Sequence, residues 1–163
     1  MFMAGFYPVM MFGLPAACLA MYRSALPTRK KAVGGILFGV ALTSFITGVT
    51  EPVEFLFMFL APFLYLVHAL LTGLSLALCG LLGVKAGFTF SGGVIDYVLS
   101  YQLATDGWII LPLGLLWFGI YYTVFSYFIR KFDLKTPGRE TAVTSEAEGL
   151  NVSDRSLAQG YIQ

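Results

Sequence analysis

The chain has 163 residues, of which 58% are hydrophobic and only 12% charged, with a formal net charge of +1. A soluble domain carries about 25% charged residues, so half the usual charge is missing, and long apolar runs fill most of the sequence up to Arg130; this excludes a water-soluble enzyme and reads as an all-α integral membrane protein. Basic residues cluster in Arg23–Lys31 and Arg130–Arg139 without a stripe of interleaved aromatics, which excludes nucleic acid as a partner.

Residues 2–22 are long enough to cross a bilayer but carry Gly5, Pro8, Gly13 and Pro15, so a helix broken or kinked near Gly13-Leu14-Pro15 is expected. The basic loop "RSALPTRKK" follows and is cytoplasmic by the positive-inside rule. Ala32–Val49 comes next, about 27 Å of helix at 1.5 Å per residue, with Gly34, Gly35, Gly39 and Gly48 suited to close helix packing. From Ala32 to Val84 the only acidic or basic side chains are Glu51, Glu54 and His68. As one helix, Val53–Val84 would measure about 48 Å, too long for a hydrocarbon core of about 30 Å. Pro62 divides it into a half-length helix, Pro52–Ala61, and a full span, Pro62–Val84.

That division predicts a re-entrant hairpin. Ala32–Val49 enters from the cytoplasm, the chain turns at Thr50-Glu51-Pro52, and Pro52–Ala61 returns part of the way. Pro62–Val84 then crosses outward and Trp108–Phe128 crosses back, so both basic clusters lie on one side. Between them, "KAGFTFSGGVIDYVLSY" (85–101) reads as a surface or partly inserted element. Cys18 and Cys79 lie in apolar segments without metal-ligand or disulfide spacing, and neither a metal nor a cofactor is expected.

The acidic tip is the chemical centre of the sequence. A carboxylate at a helix centre in hydrocarbon costs about 2.5–3.5 kcal/mol on insertion scales, so it belongs where it faces a water-filled cavity or a polar partner. Pro52 suits a first helical position, which makes Glu51 the expected N-cap and puts Glu54 in the first turn. Broken helices with polar tips are how membrane transporters build substrate sites, and a carboxylate there accepts hydrogen bonds from paired hydroxyls of the kind a sugar offers. Glu54 reads as a helix-start charge or a buried partner of an Arg or Lys. His68 reads as a packed, hydrogen-bonded histidine rather than a proton relay, and Asp96 as a local cap or interface contact.

The stretch "ITGVTEPVEFLFMFLAPFLYLVHALLTG" resembles the signature of the glucose-superfamily enzyme IIC membrane domain of the bacterial phosphoenolpyruvate-dependent sugar phosphotransferase system. "MFGLPAA", "GFTFSGGVIDY" and "LKTPGRE" match further blocks of that family in the same order. Within it, "AGFTFSGGVIDYVLSYQL" is most similar to the N-acetylglucosamine-specific branch, with the glucose-specific branch close behind.

The resemblance implies the C-terminal part of a domain of about ten spans, working as a homodimer in the bacterial cytoplasmic membrane and carrying sugar by an elevator-like movement. Glu51 matches the family glutamate that holds sugar hydroxyls, Thr50 and Pro52 shape the same tip, and Glu54 and His68 support it. Residues 1–135 would belong to the transport domain, 136–155 to a flexible cytoplasmic linker, and 156–163 to the start of a IIB domain. The implied partners are the sugar, the IIB and IIA phosphoryl carriers, the N-terminal scaffold half of enzyme IIC and the lipid bilayer. Neither the scaffold half nor a phosphorylatable cysteine motif is present in these residues, so the chain reads as a fragment of a sugar-translocating transferase. A small membrane interaction protein acting on such a transporter, and an ion-coupled transporter using the same broken-helix device, are the alternative readings.

Overall fold

The computed structural model describes residues 2–139; most of the expected linker and the expected IIB start at 156–163 lie outside the described residues. Among the described residues every regular element is helical, and four helices are long and apolar enough to cross a membrane. The first, Met3–Ser24, combines a 3-10 turn at Phe2–Gly5, a π-helical stretch at Pro8–Gly13 and helix α1 (Leu14–Ser24). The others are α2 (Lys30–Thr47), α4 (Pro62–Leu81), and α6 (Ile110–Lys131), whose span begins at Gly107. Two shorter helices, α3 (Glu51–Leu60) and α5 (Val94–Ser100), complete the set.

The expected break at Gly13-Leu14-Pro15 takes a milder form. Leu14 N–H bonds to the Val9 carbonyl, five residues back, so the helix widens by a π turn and continues instead of breaking. The cause is local. In that register the next donor, to the Met10 carbonyl, would be Pro15, which has no N–H. The carbonyl so freed accepts Ser44 Oγ of α2 at 2.6 Å.

A second serine makes a similar contact: Ser75 Oγ of α4 donates to the Gly5 carbonyl at 2.7 Å. Ser44→Ala and Ser75→Ala are each expected to cost about 1 kcal/mol, and together about twice that. By contrast, Thr43→Val and Thr123→Val, whose hydroxyls bond carbonyls of their own helix, are expected to cost much less. Thermal unfolding in detergent measures the difference.

The two basic clusters meet at one end, as charge asymmetry required. Leu26 N–H bonds to the Gly138 carbonyl at 3.1 Å, and Arg139 Nη1 to the Ser24 carbonyl at 3.1 Å. α4 starts at that end, with Phe63 against Phe128 and Phe132 of α6 (centroids 5.1 and 5.5 Å). α2 also starts there, so α3 between them must run back toward it, and it does: Phe57 of α3 lies edge-on to Phe125 of α6 at 5.5 Å. The re-entrant hairpin is therefore present. Its core face is aromatic, with Phe57, Trp117, Tyr121 and Phe125 all fully buried.

Close packing along α2 is only partly realised. Gly34 lies under the Tyr22 ring, whereas Gly35 and Gly39 face open space, and Leu37 and Ser44 are the buried residues of the helix.

Candidate functional site

The hairpin tip lies close to Met10, beside the helical stretch Met3–Ser24, which is long and apolar enough to cross a membrane. α2 ends at Thr47, and Gly48 follows in the left-handed conformation (φ 75°) that lets the chain reverse. Thr50 is the N-cap of α3, a correction to the expectation for Glu51. A residue preceding proline is disfavoured in helical geometry, yet Glu51 is the first helical residue here. The Thr50 carbonyl accepts both Val53 N–H (3.0 Å) and Glu54 N–H (2.9 Å), which starts the helix one residue early.

The expected tip residues separate by environment. Thr50 is buried, Glu51 and Pro52 are exposed, and Val53 turns into the core. Glu54, one turn beyond Glu51, points instead toward α4. Its partner is a histidine and not the expected Arg or Lys: Glu54 Oε1 lies 3.6 Å from His68 Nε2. His68 Nδ1 is 2.9 Å from the Tyr121 hydroxyl, and the His68 carbonyl accepts Thr72 Oγ1 at 2.9 Å. The ring therefore meets the Tyr121 hydroxyl through Nδ1 and faces the Glu54 carboxylate through Nε2. His68 is thus a packed, hydrogen-bonded histidine, as its position in an apolar span implied, and it ties α3 to α4 and α6.

The wall behind the tip comes from the loop between α4 and α6. An antiparallel pairing of Lys85 with Thr105 (3.1 and 2.7 Å) closes this loop at its base. Tyr7 O–H donates to the Gly87 carbonyl at 2.5 Å and anchors the loop to the first span. At its apex Ser91 Oγ donates to the Gly48 carbonyl at 2.6 Å. The backbones touch beside this bond: a Cβ on Gly93 would lie 2.4 Å from Gly48 N and 2.5 Å from the Thr47 carbonyl carbon.

The reading of 85–101 as a surface or partly inserted element does not connect Ser91-Gly92-Gly93 with Thr47-Gly48. The glycine pair in "FSGGV" was the available signal for a close backbone approach. The sequence does not single out Ser44 and marks Tyr121 only as a packing or interface aromatic, because a serine or tyrosine in an apolar span gives no hint of which carbonyl or ring it meets.

Asp96 shapes the loop, in line with its reading as a local cap. Its Oδ2 accepts the N–H groups of Thr89, Phe90 and Ser91 at 2.9, 2.7 and 2.9 Å. Burial pushes the carboxyl up, but the donors from Phe90, Ser91 and Thr89 outweigh it and hold it below its ordinary value. A lowered folded-state value means the contribution is complete above the unfolded value near 3.8 and is lost as pH falls through the lower folded one. Amide-exchange protection at Thr89, Phe90 and Ser91 is therefore expected to hold across neutral pH and to fail only in strong acid. Asp96→Asn is expected to reduce it about tenfold or more at pH 7, since charge-assisted hydrogen bonds are lost.

The site thus offers one exposed carboxylate on a turn between two helices, backed by the loop that carries Ser91 and Gly93. Among the described residues no cluster of three or more metal-ligating side chains occurs.

Comparison with known proteins assigns the class. The family described as "Phosphotransferase system, EIIC" matches residues 1–73. The chain is 56% identical, over 99% of its length, to the "PTS system N-acetylglucosamine-specific EIICBA component" of Escherichia coli (strain K12), and covers 26% of that protein. It is 60% identical over 85% of its length to the N-acetylglucosamine-specific EIIC component of Streptomyces coelicolor, covering 33% of it. A glucose-specific EIICBA component from Staphylococcus saprophyticus is 56% identical over 85% of the chain, with 21% of that protein covered. The chain belongs to the EIIC membrane-domain family of the phosphotransferase system. It spans about a quarter to a third of the length of the first two of these relatives.

Proposed function

We propose that this chain is the hairpin-bearing part of a sugar transporter of the phosphotransferase system, and that Glu51 is its sugar-binding carboxylate. The observation that carries this reading is an exposed carboxylate on a re-entrant tip, inside a span otherwise almost free of charge, in a chain so similar to sugar-specific EIIC components. Glu51 accepts hydrogen bonds from sugar hydroxyls, Thr50 and Pro52 set the turn that presents it, and the Glu54–His68 contact holds α3 against α4.

The sugar is N-acetylglucosamine, with glucose the second choice, because relatives named for each share more than half of this chain's residues. The names of the EIICBA relatives support IIB and IIA carriers as the source of the phosphoryl group. A homodimer, an N-terminal scaffold half, a bacterial cytoplasmic-membrane location and a cytoplasmic C-terminal tail complete the proposal; the last follows from the shared basic end. Residues 1–135 are assigned to the transport domain, 136–155 to a linker and 156–163 to the start of IIB.

The reading is tested in vesicles bearing the transporter that carries this chain, supplied with its phosphoryl carriers and phosphoenolpyruvate. Labelled N-acetylglucosamine is expected to be bound and phosphorylated in preference to glucose, and Glu51→Gln is expected to weaken binding and to lower phosphorylation about 100-fold or more while leaving membrane insertion intact.

A further inference from the structure

A groove of about 500 Å³ runs between α1, α2 and α6, away from the hairpin tip's carboxylate. Its walls are predominantly apolar, formed by side chains such as Pro15, Cys18, Leu37, Ala41, Phe45 and Phe118. From Gly34 to Phe45 it follows α2 for about 16 Å at 1.5 Å per residue. Tyr22 and Gly34 form its mouth, on the side of the two basic clusters.

The mouth is cationic. Lys30 Nζ lies 5.8 Å above the Tyr22 ring. Arg23 Cζ lies 5.9 Å from the ring of Tyr122, one turn beyond Phe118, and its Nη1 donates to the Tyr122 hydroxyl at 3.2 Å. The stems lie along aromatic surface while the charged heads reach toward the interface. Among the described residues neither cation pairs with a carboxylate.

The lining and the charge decide the occupant. An extended hydrocarbon chain matches the predominantly apolar walls, and two cations without a carboxylate partner among the described residues call for an anion attached to that chain.

We propose that this groove binds one acyl chain of an anionic phospholipid from the leaflet on the basic side, with its phosphate between Lys30 and Arg23. The site is separate from the sugar carboxylate and does not rest on the sugar reading.

The test uses the transporter carrying this chain, reconstituted in bilayers of equal phosphatidylglycerol and phosphatidylcholine and examined by native mass spectrometry. One retained phosphatidylglycerol per protomer is expected to be lost on Ala41→Trp, which fills the slot. Lys30→Ala with Arg23→Ala is expected to keep a phospholipid there but to lower the preference for phosphatidylglycerol about 25-fold, about fivefold per cation. A phosphatidylglycerol carrying a photoreactive acyl chain, applied to the unaltered protein, is expected to label Leu37, Ala41 or Phe45, and unlabelled phosphatidylglycerol is expected to compete better than phosphatidylcholine. This arm needs no variant to fold. Adducts elsewhere, no preference between the two lipids, full retention by Ala41→Trp, or a segment of the same protein found cross-linked in the slot would each overturn the proposal.

Discussion

Replacing Gly93 by alanine is expected to lower sugar phosphorylation about 100-fold while the protein still inserts in the membrane. The new methyl would stand 2.4 Å from Gly48 N, 2.5 Å from the Thr47 carbonyl carbon and 2.6 Å from the Ile46 carbonyl oxygen. All three are backbone atoms, so no side chain can swing away, and ordinary contact returns only if tip and loop separate by about 1 Å. Overpacking of this kind costs about 1–3 kcal/mol, and a 1 Å misplacement of a binding group costs about 100-fold in rate. The neighbouring Gly92→Ala is the control. Its methyl first meets the Met10 sulfur at 3.0 Å, the end of a flexible chain, and backbone only at 3.3 Å. A much smaller loss is expected there, measured in the same phosphorylation assay with detergent-solubilised yield as the check on folding. Equal activity for Gly93→Ala and wild type would mean that the loop does not set the position of the tip.

For Glu51→Gln the expected loss is about 100-fold or more in kcat/KM for phosphorylation of N-acetylglucosamine, with partial recovery in Glu51→Asp. Glutamine preserves the length and volume of the side chain but replaces one acceptor oxygen by a donor and removes the charge. Each hydrogen bond to a charged acceptor contributes about 1.5–3 kcal/mol, so the loss of two corresponds to two decades or more. Because Glu51 is exposed and makes no hydrogen bond among the described residues, its substitution is not expected to lower the melting temperature. Glu54→Gln differs in this respect, since it loosens the contact with His68 and is expected to affect stability as well as rate. Phosphorylation kinetics and thermal unfolding of the two variants, measured side by side, separate the roles. If Glu51→Gln kept its activity within about threefold, the acidic tip would be architecture only.

What the sequence determined by itself is the part of this protein that depends on length and polarity. Charge depletion identified the membrane. Thirty-two residues between Val53 and Val84 were too many for one span, and Pro62 showed where to divide them. The two basic clusters required an arrangement that brought them to the same end, and a re-entrant hairpin was the arrangement that did so. These are one-dimensional quantities, because the bilayer's thickness and its exclusion of charge act on each segment separately.

Tertiary structure alone decided which groups meet. Pro15 was legible as a helix disturbance, but not as the means of freeing the Met10 carbonyl for Ser44, and nothing along the chain pairs Ser75 with the Gly5 carbonyl. Glu54 was legible as a charge needing a partner, but not as one whose partner is His68, fourteen residues on and in the following helix. The contact of Gly93 with Gly48 joins residues forty-five positions apart through bare backbone, and glycine leaves no side-chain pattern by which to trace its neighbour. Hydrogen bonds and steric contacts act over about 3–4 Å, so they depend on how helices are arranged in space, and no periodicity along one helix encodes that arrangement.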